Sequence, residues 1–150
     1  MRDLVILRHA TAVGGLRSDF DRHLTDDGKR EAQLIGQQLA NAGLKPDRIV
    51  ASPAVRTRET ARLVAQVLHI PPAAIVEEPV IYEADVQQLL DLVGRHDVPR
   101  LLLVGHDPGV SHLVRVLVAS QPRFALAKGH AAHLQLDGHQ AKLVKMYAPE

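Results

Sequence analysis

Leu4-Val5-Ile6-Leu7, followed at once by Arg8-His9-Ala10-Thr11, decides how the chain is read. Four apolar residues with β-branched members, bounded by polar ones, predict a short buried strand. In α/β folds, chemistry gathers beyond the carboxyl ends of strands. Arg8 and His9 therefore fall where a fixed cation and a nucleophile of near-neutral pKa are useful. A second ending of this kind comes late, where Leu101-Leu102-Leu103-Val104 runs into Gly105-His106-Asp107-Pro108-Gly109. If the two strands are close, both histidines face one pocket.

Between these strands the apolar pattern switches to helical spacing. Thr25 reads as an N-cap, with Asp26 and Asp27 complementing the dipole of a helix spanning roughly Asp26 to Ala42. Ala32, Ile35, Gly36 and Leu39 form its apolar stripe, and Gly43 and Pro46 follow its end. Ala12 to His23 is expected to be a loop over the pocket mouth. Arg48-Ile49-Val50-Ala51 predicts a second strand, with Ser52 as N-cap and Pro53 in the first turn of the next helix. That helix carries Ala61, Val64, Ala65 and Leu68 on one face and stops before Pro71-Pro72.

Ile75-Val76 suggests a short strand. Val86, Leu89, Leu90 and Val93 mark a third helix, closed by Gly94, and Val110, Leu113, Val114 and Leu117 a fourth. The tail, from His133 to Leu136 and from Ala141 to Tyr147, alternates around Asp137-Gly138 and reads as a hairpin. Strands alternating with helices predict one three-layer α/β/α domain over residues 1–150, its sheet mostly parallel with an antiparallel edge.

Composition narrows the function. Hydrophobic residues make up 46% of the 150 and charged ones 23%, as in ordinary globular proteins. A net charge of +1 without a long charge block argues against a nucleic-acid partner, and 3% aromatics argue against a base-stacking surface. The sequence contains no cysteine, which excludes disulfides, thiolate metal sites and cysteine nucleophiles. The apolar run near the N-terminus is too short for a signal-peptide core or a membrane span, so a cytoplasmic location without membrane association is expected. His130 and His133 lack an evident third ligand, and no metal site is expected there.

Four segments then converge on the pocket: Arg8-His9, Ser52 to Arg56, Tyr82-Glu83 and Gly105-His106. Two arginines and two histidines suit a dianionic tetrahedral group, because guanidinium forks offer paired, permanently charged donors to phosphate oxygens. Helix starts after Ser52 and Pro108 would add oriented N–H groups. A neutral imidazole can attack phosphorus if its other ring nitrogen is held by an acceptor. Arg22 reaches either the phosphate or an ion pair with Asp19 or Asp21. Glu59 and Thr60 are expected to organise their helix and brace the arginines.

Arg8-His9-Ala10-Thr11, Ser52-Pro53-x-x-Arg56-x-x-Glu59-Thr60 and Val104-Gly105-His106, in order and suitably spaced, resemble the signatures of the histidine phosphatase superfamily, which includes phosphoglycerate mutases. The short chain and Asp21-Arg22-x-Leu24-Thr25-x-x-Gly28 resemble its small SixA-type branch of phosphohistidine phosphatases. The resemblance implies a phosphoglycerate mutase-like fold and a metal-independent phosphatase that needs no cofactor. It implies His9 as nucleophile, with Arg8, Arg56 and His106 on the phosphate. Glu83, in Ile81-Tyr82-Glu83, is implied as general acid. Ala10 stands where the superfamily commonly has glycine, which is tolerable if φ there is negative. With only one helix between Glu83 and Arg100, the mutase lid has no counterpart. An open site suits a phosphohistidine on another protein; a small phosphate ester and a non-catalytic phosphoprotein-binding role are the alternatives.

Overall fold

The computed structural model describes residues 1–15, 18–138 and 140–150. Leu16 and Arg17 of the expected mouth loop, and His139, lie outside the described residues. Six strands, β1 (Arg2–Arg8), β2 (Arg48–Ala51), β3 (Ile75–Glu77), β4 (Arg100–Gly105), β5 (Ala131–Asp137) and β6 (Gln140–Tyr147), form one sheet in the order β3-β2-β4-β1-β5-β6. β3, β2, β4 and β1 run parallel; β5 pairs antiparallel with β1, and β6 antiparallel with β5. The expected mostly parallel sheet with an antiparallel edge is thus observed.

The interior strands are buried on both faces, which is why they read as unbroken apolar runs. Leu101 to Val104 are fully buried, and alternate residues serve opposite layers. Leu4, Ile6, Leu101 and Leu103 pack beneath α3 (Val86–Arg95) and α4 (Gly109–Leu117). Val5, Leu7, Leu102 and Val104 pack beneath α1 (Asp26–Asn41) and α2 (Val55–Val67). Each such leucine contributes roughly 1.5–3 kcal/mol through burial. Among the described residues, no helix is long and apolar enough to cross a membrane.

Several local expectations hold. Thr25 caps α1 by accepting from the Gly28 amide at 2.9 Å, and Gly43 follows the helix with φ of 69°. Others are corrected. α2 starts at Val55, later than Ser52 suggested. The Ser52 hydroxyl instead accepts from the Ala54 amide, and Thr57 Oγ1 donates to the Ser52 carbonyl, so Ser52 and Pro53 form a turn ahead of the helix. α3 passes through Gly94 and ends at Arg95. In the terminal hairpin Asp137, expected in the turn, still belongs to β5 and pairs with Gln140.

Register between the central strands positions the site. Arg8 pairs with Gly105, so His9 and His106 emerge side by side from the same edge. Ala51 pairs with Val104, bringing the start of α2 to that edge as well.

Candidate active site

Arg8, His9, Arg22, Arg56, Glu83 and His106 all line one cleft of about 470 Å³ at the carboxyl edge of the sheet. Every residue expected at the site from sequence is therefore brought together. Asp19, Tyr82, Asp107 and Lys128 line it too, among the described residues.

His9 is held from two directions. Its amide donates to the Gly105 carbonyl at 3.1 Å. Its ring Nδ1 lies 2.8 Å from the Ala10 carbonyl oxygen, which can only accept. Nδ1 therefore carries the proton, and Nε2 presents a lone pair. Ala10 is fully buried and lies outside the positive-φ region, so its methyl group is accommodated. Its amide donates to Thr60 Oγ1 at 3.2 Å, and that hydroxyl donates to the Arg56 carbonyl at 2.7 Å. Thr60 thus couples the segment around His9 to α2, as a bracing role requires. Glu59 acts elsewhere: its carboxylate accepts from the Leu24 amide at 2.8 Å and ties the mouth loop to α2.

His106 stands beside His9 with ring centroids 5.4 Å apart. It is 9% exposed, and neither ring nitrogen has a partner among the described residues. Two orphaned nitrogens on one buried ring are costly unless they serve a ligand or a proton. Burial, then the Arg56 charge, then His9 lower its pKa to about 3. Burial is also the main influence on His9. The Ala10 carbonyl opposes it, Arg56, Arg8 and Arg22 add to it, and the pKa falls to about 4. Both rings are neutral at pH 7.

The arginines are fixed by acceptors on loops. Arg8 Nη1 donates to the Leu126 carbonyl at 3.0 Å and lies 3.6 Å from Asp107 Oδ2. Arg56 donates twice to Asp19, from Nη1 to the backbone carbonyl at 2.8 Å and from Nη2 to Oδ2 at 3.0 Å. Arg22 donates to Asp19 Oδ1 at 3.0 Å and to the Val13 carbonyl at 2.7 Å, so its ion pair is with Asp19 while it also lines the cleft. The Tyr82 hydroxyl donates to Asp19 Oδ2 at 2.7 Å. The Tyr82 hydrogen bond, followed by those from Arg22 and Arg56, holds the Asp19 carboxyl well below the usual carboxylate range.

The helix starts contribute less than expected. The Val55 amide of α2 donates to the Phe20 carbonyl, and in α4 Val110 donates to the His106 carbonyl and Ser111 to Asp107 Oδ1. These N–H groups are committed within the protein.

A neutral imidazole with a fixed tautomer, flanked by three guanidinium groups and a second buried imidazole, is suited to attack at a phosphoryl group. Comparison with known proteins agrees. Residues 4–93 match the family model of the histidine phosphatase superfamily (branch 1). The chain belongs to this superfamily.

Solved structures extend the likeness over the whole chain. The candidate phosphohistidine phosphatase SixA of Agrobacterium tumefaciens superposes with a TM-score of 0.85, at 28% identity over 99% of both chains. The candidate SixA of Nakamurella multipartitia gives 0.86, at 30% identity over 99% of this chain and 96% of that one. The mitochondrial serine/threonine-protein phosphatase Pgam5 of Drosophila ananassae is 36% identical over 63 residues, covering 42% of this chain and 22% of the fly protein. The chain thus matches about a fifth of that relative's length. These likenesses support phosphatase chemistry.

Within this histidine phosphatase fold, Asp107 and Lys128 had no cleft role from sequence, while Asp19 was expected only as an ion-pair partner of Arg22 and Tyr82 only beside Glu83. Asp19 and Tyr82, the latter in a 3-10 turn over Pro79–Glu83, are 63 positions apart, and only folding shows their bond. Asp107 immediately follows His106, and that adjacency was the available signal. Lys128 had none, because it lies in the irregular segment between α4 and β5. His130 and His133 are also clarified: His130 precedes β5, while His133 Nε2 lies 2.7 Å from Asp3 Oδ1 on β1, away from the cleft.

Proposed function

We propose that this histidine phosphatase superfamily member removes phosphate from phosphohistidine on a protein, without a metal or other cofactor. The reading is carried by the fixed tautomer of His9: Nδ1 donates to Ala10 and leaves Nε2 as the nucleophilic atom. Pure phosphate binding would not need a lone pair there.

In the first step His9 Nε2 bonds to phosphorus as the P–N bond to the substrate histidine breaks. Arg8, Arg56 and His106, with Arg22 at the edge, receive charge on the phosphoryl oxygens. Glu83 gives the leaving imidazole its proton, assisted by His106. In the second step Glu83 takes a proton from water, oxygen bonds to phosphorus, and the bond to His9 breaks. Orthophosphate leaves and the lone pair returns. Most of the acceleration comes from positioning and charge.

A protein substrate is supported by the open cleft. Between Glu83 and Arg100 the chain forms only α3 and short connections, so this stretch inserts no lid. A reducing, cytoplasmic setting suits a chain with no cysteine.

The test is phosphate release from a histidine-phosphorylated protein domain by wild type and His9→Ala, each with and without chelator. Chelator-resistant release by wild type alone is expected. Release only from small phosphate esters would reassign the substrate, and phosphate binding without turnover would indicate a binding module.

A further inference from the structure

A second cavity of about 450 Å³ adjoins the cleft and shares Tyr82, Glu83, His106 and Asp107 with it. Its chemistry is different. Ile81, Ala84, Val86, Leu89, Pro108 and Val110 supply apolar walls, and Ile81, Leu89 and Val110 are buried core residues. Gly109 helps keep the space open: a Cβ there would reach Leu89 Cδ1 at 3.4 Å and the Ala84 carbonyl at 3.5 Å. The phosphate cleft carries Arg8, Arg22, Arg56 and Lys128, with Asp19 bound to Arg22 and Arg56. No lysine or arginine lines the apolar cavity among the described residues; Glu83 and Asp107 stand on the shared wall, and Asp85 edges the apolar cavity alone.

We infer that this cavity is a substrate subsite, taking an apolar side chain next to the phosphohistidine of a protein whose same surface carries a lysine or arginine. The inference rests on the proposed function and deepens it. In an in-line displacement the leaving group lies opposite His9. The proton donor assigned to it, Glu83, stands on the wall that the two cavities share. The chain bearing the leaving imidazole therefore continues over Tyr82 and Glu83 toward the apolar pocket. An apolar floor with acidic groups around it selects an apolar residue accompanied by a cation. Inorganic phosphate and simple phosphoramidates reach only the cationic half.

Two variants outside the reacting set test this. Val86→Trp fills the pocket. Asp85→Asn removes a rim charge while keeping a side chain able to cap α3, where Asp85 accepts from the Gln88 amide at 2.8 Å. Each is assayed on a histidine-phosphorylated protein domain and on phosphoramidate. Val86→Trp is expected to raise KM for the protein roughly tenfold, the scale of one lost apolar contact, with kcat retained. Asp85→Asn is expected to raise the same KM by about threefold in low salt, an effect that salt abolishes. Phosphoramidate turnover stays at the wild-type level in both. Unchanged protein KM in both variants overturns the subsite, as does parallel loss on phosphoramidate. Wild type inactive on the protein but active on small esters defeats the underlying reading, and with it the protein occupant.

Discussion

Asp19 grips Arg56 twice, through its backbone carbonyl at 2.8 Å and its carboxylate at 3.0 Å, so the mouth loop sets the plane of a guanidinium on α2. A planar fork held at one edge keeps its remaining N–H directions fixed. Removing the fork altogether is the more severe change. Arg56→Ala is expected to lower kcat on the order of 10² to 10³, read by steady-state hydrolysis of phosphoramidate.

The same contact separates orientation from charge. Asp19→Ala removes the carboxylate that fixes Arg56, Arg22 and the Tyr82 hydroxyl, and kcat/KM is expected to fall by roughly tenfold. Asp19→Asn keeps one acceptor oxygen but turns an N–H toward either Arg22 or the Arg56 and Tyr82 donors, so a loss smaller than that of Asp19→Ala is expected. Equal losses in the two variants would show that one acceptor oxygen does not suffice to orient the guanidinium groups.

Acidity acts on both histidines in one direction. Their folded pKa values, about 4 for His9 and about 3 for His106, lie below the ordinary 6.5. Between pH 6.5 and those values the unfolded chain binds protons that the folded chain refuses. Folding stability therefore declines as pH falls, by about 1.4 kcal/mol per pH unit for each histidine. Urea midpoints measured from pH 7 to pH 4 should decline less steeply for His106→Gln than for wild type. The acid limb of kcat/KM should lie near pH 4, since His9 stays neutral down to that point.

Thr60 offers a test of the support beneath His9. Thr60→Val keeps the shape but leaves the buried Ala10 amide unpaired, which should cost about 1–3 kcal/mol in stability. Chemical denaturation measures that cost, and a lower kcat without a higher KM would show that the nucleophile has lost alignment.

Gly28 is fixed by space. A Cβ there would fall well inside contact with the Thr11 carbonyl oxygen, which already accepts from the Thr25 amide and hydroxyl. Gly28→Ala forces α1 away from the segment after His9, with an expected loss of about 1–3 kcal/mol. Thermal unfolding reads the loss directly.

What the sequence made legible follows from where each residue gets its constraints. β1 and β4 are buried on both faces, so their apolar runs identify them, and the polar residues just beyond mark the site. Thr25 caps a helix through a bond within its own turn, so its role is visible locally. Ser52 has the same chemistry, but its hydroxyl and carbonyl are engaged by Ala54 and Thr57 in a turn, and a cap was expected where none forms. Gly94 looked like a helix end because glycine is permissive, yet α3 continues one residue past it. The contact of Asp19 with Tyr82, and the place of Lys128, come from tertiary packing of irregular segments and a short 3-10 turn, which leaves no periodic trace.

Gly129 adds a last constraint on His9, the proposed nucleophile. With φ of 73°, its amide is shared between the carbonyls of Arg8 at 3.1 Å and His9 at 3.0 Å, while the His9 amide is bound to Gly105. The main chain at His9 is thus pinned on both sides, and the ring itself is held by the Ala10 carbonyl. On the proposed two-step route, a phosphoryl group arriving on that ring, and later leaving it, would find the same backbone each time. The frame would then need no refitting between the two displacements.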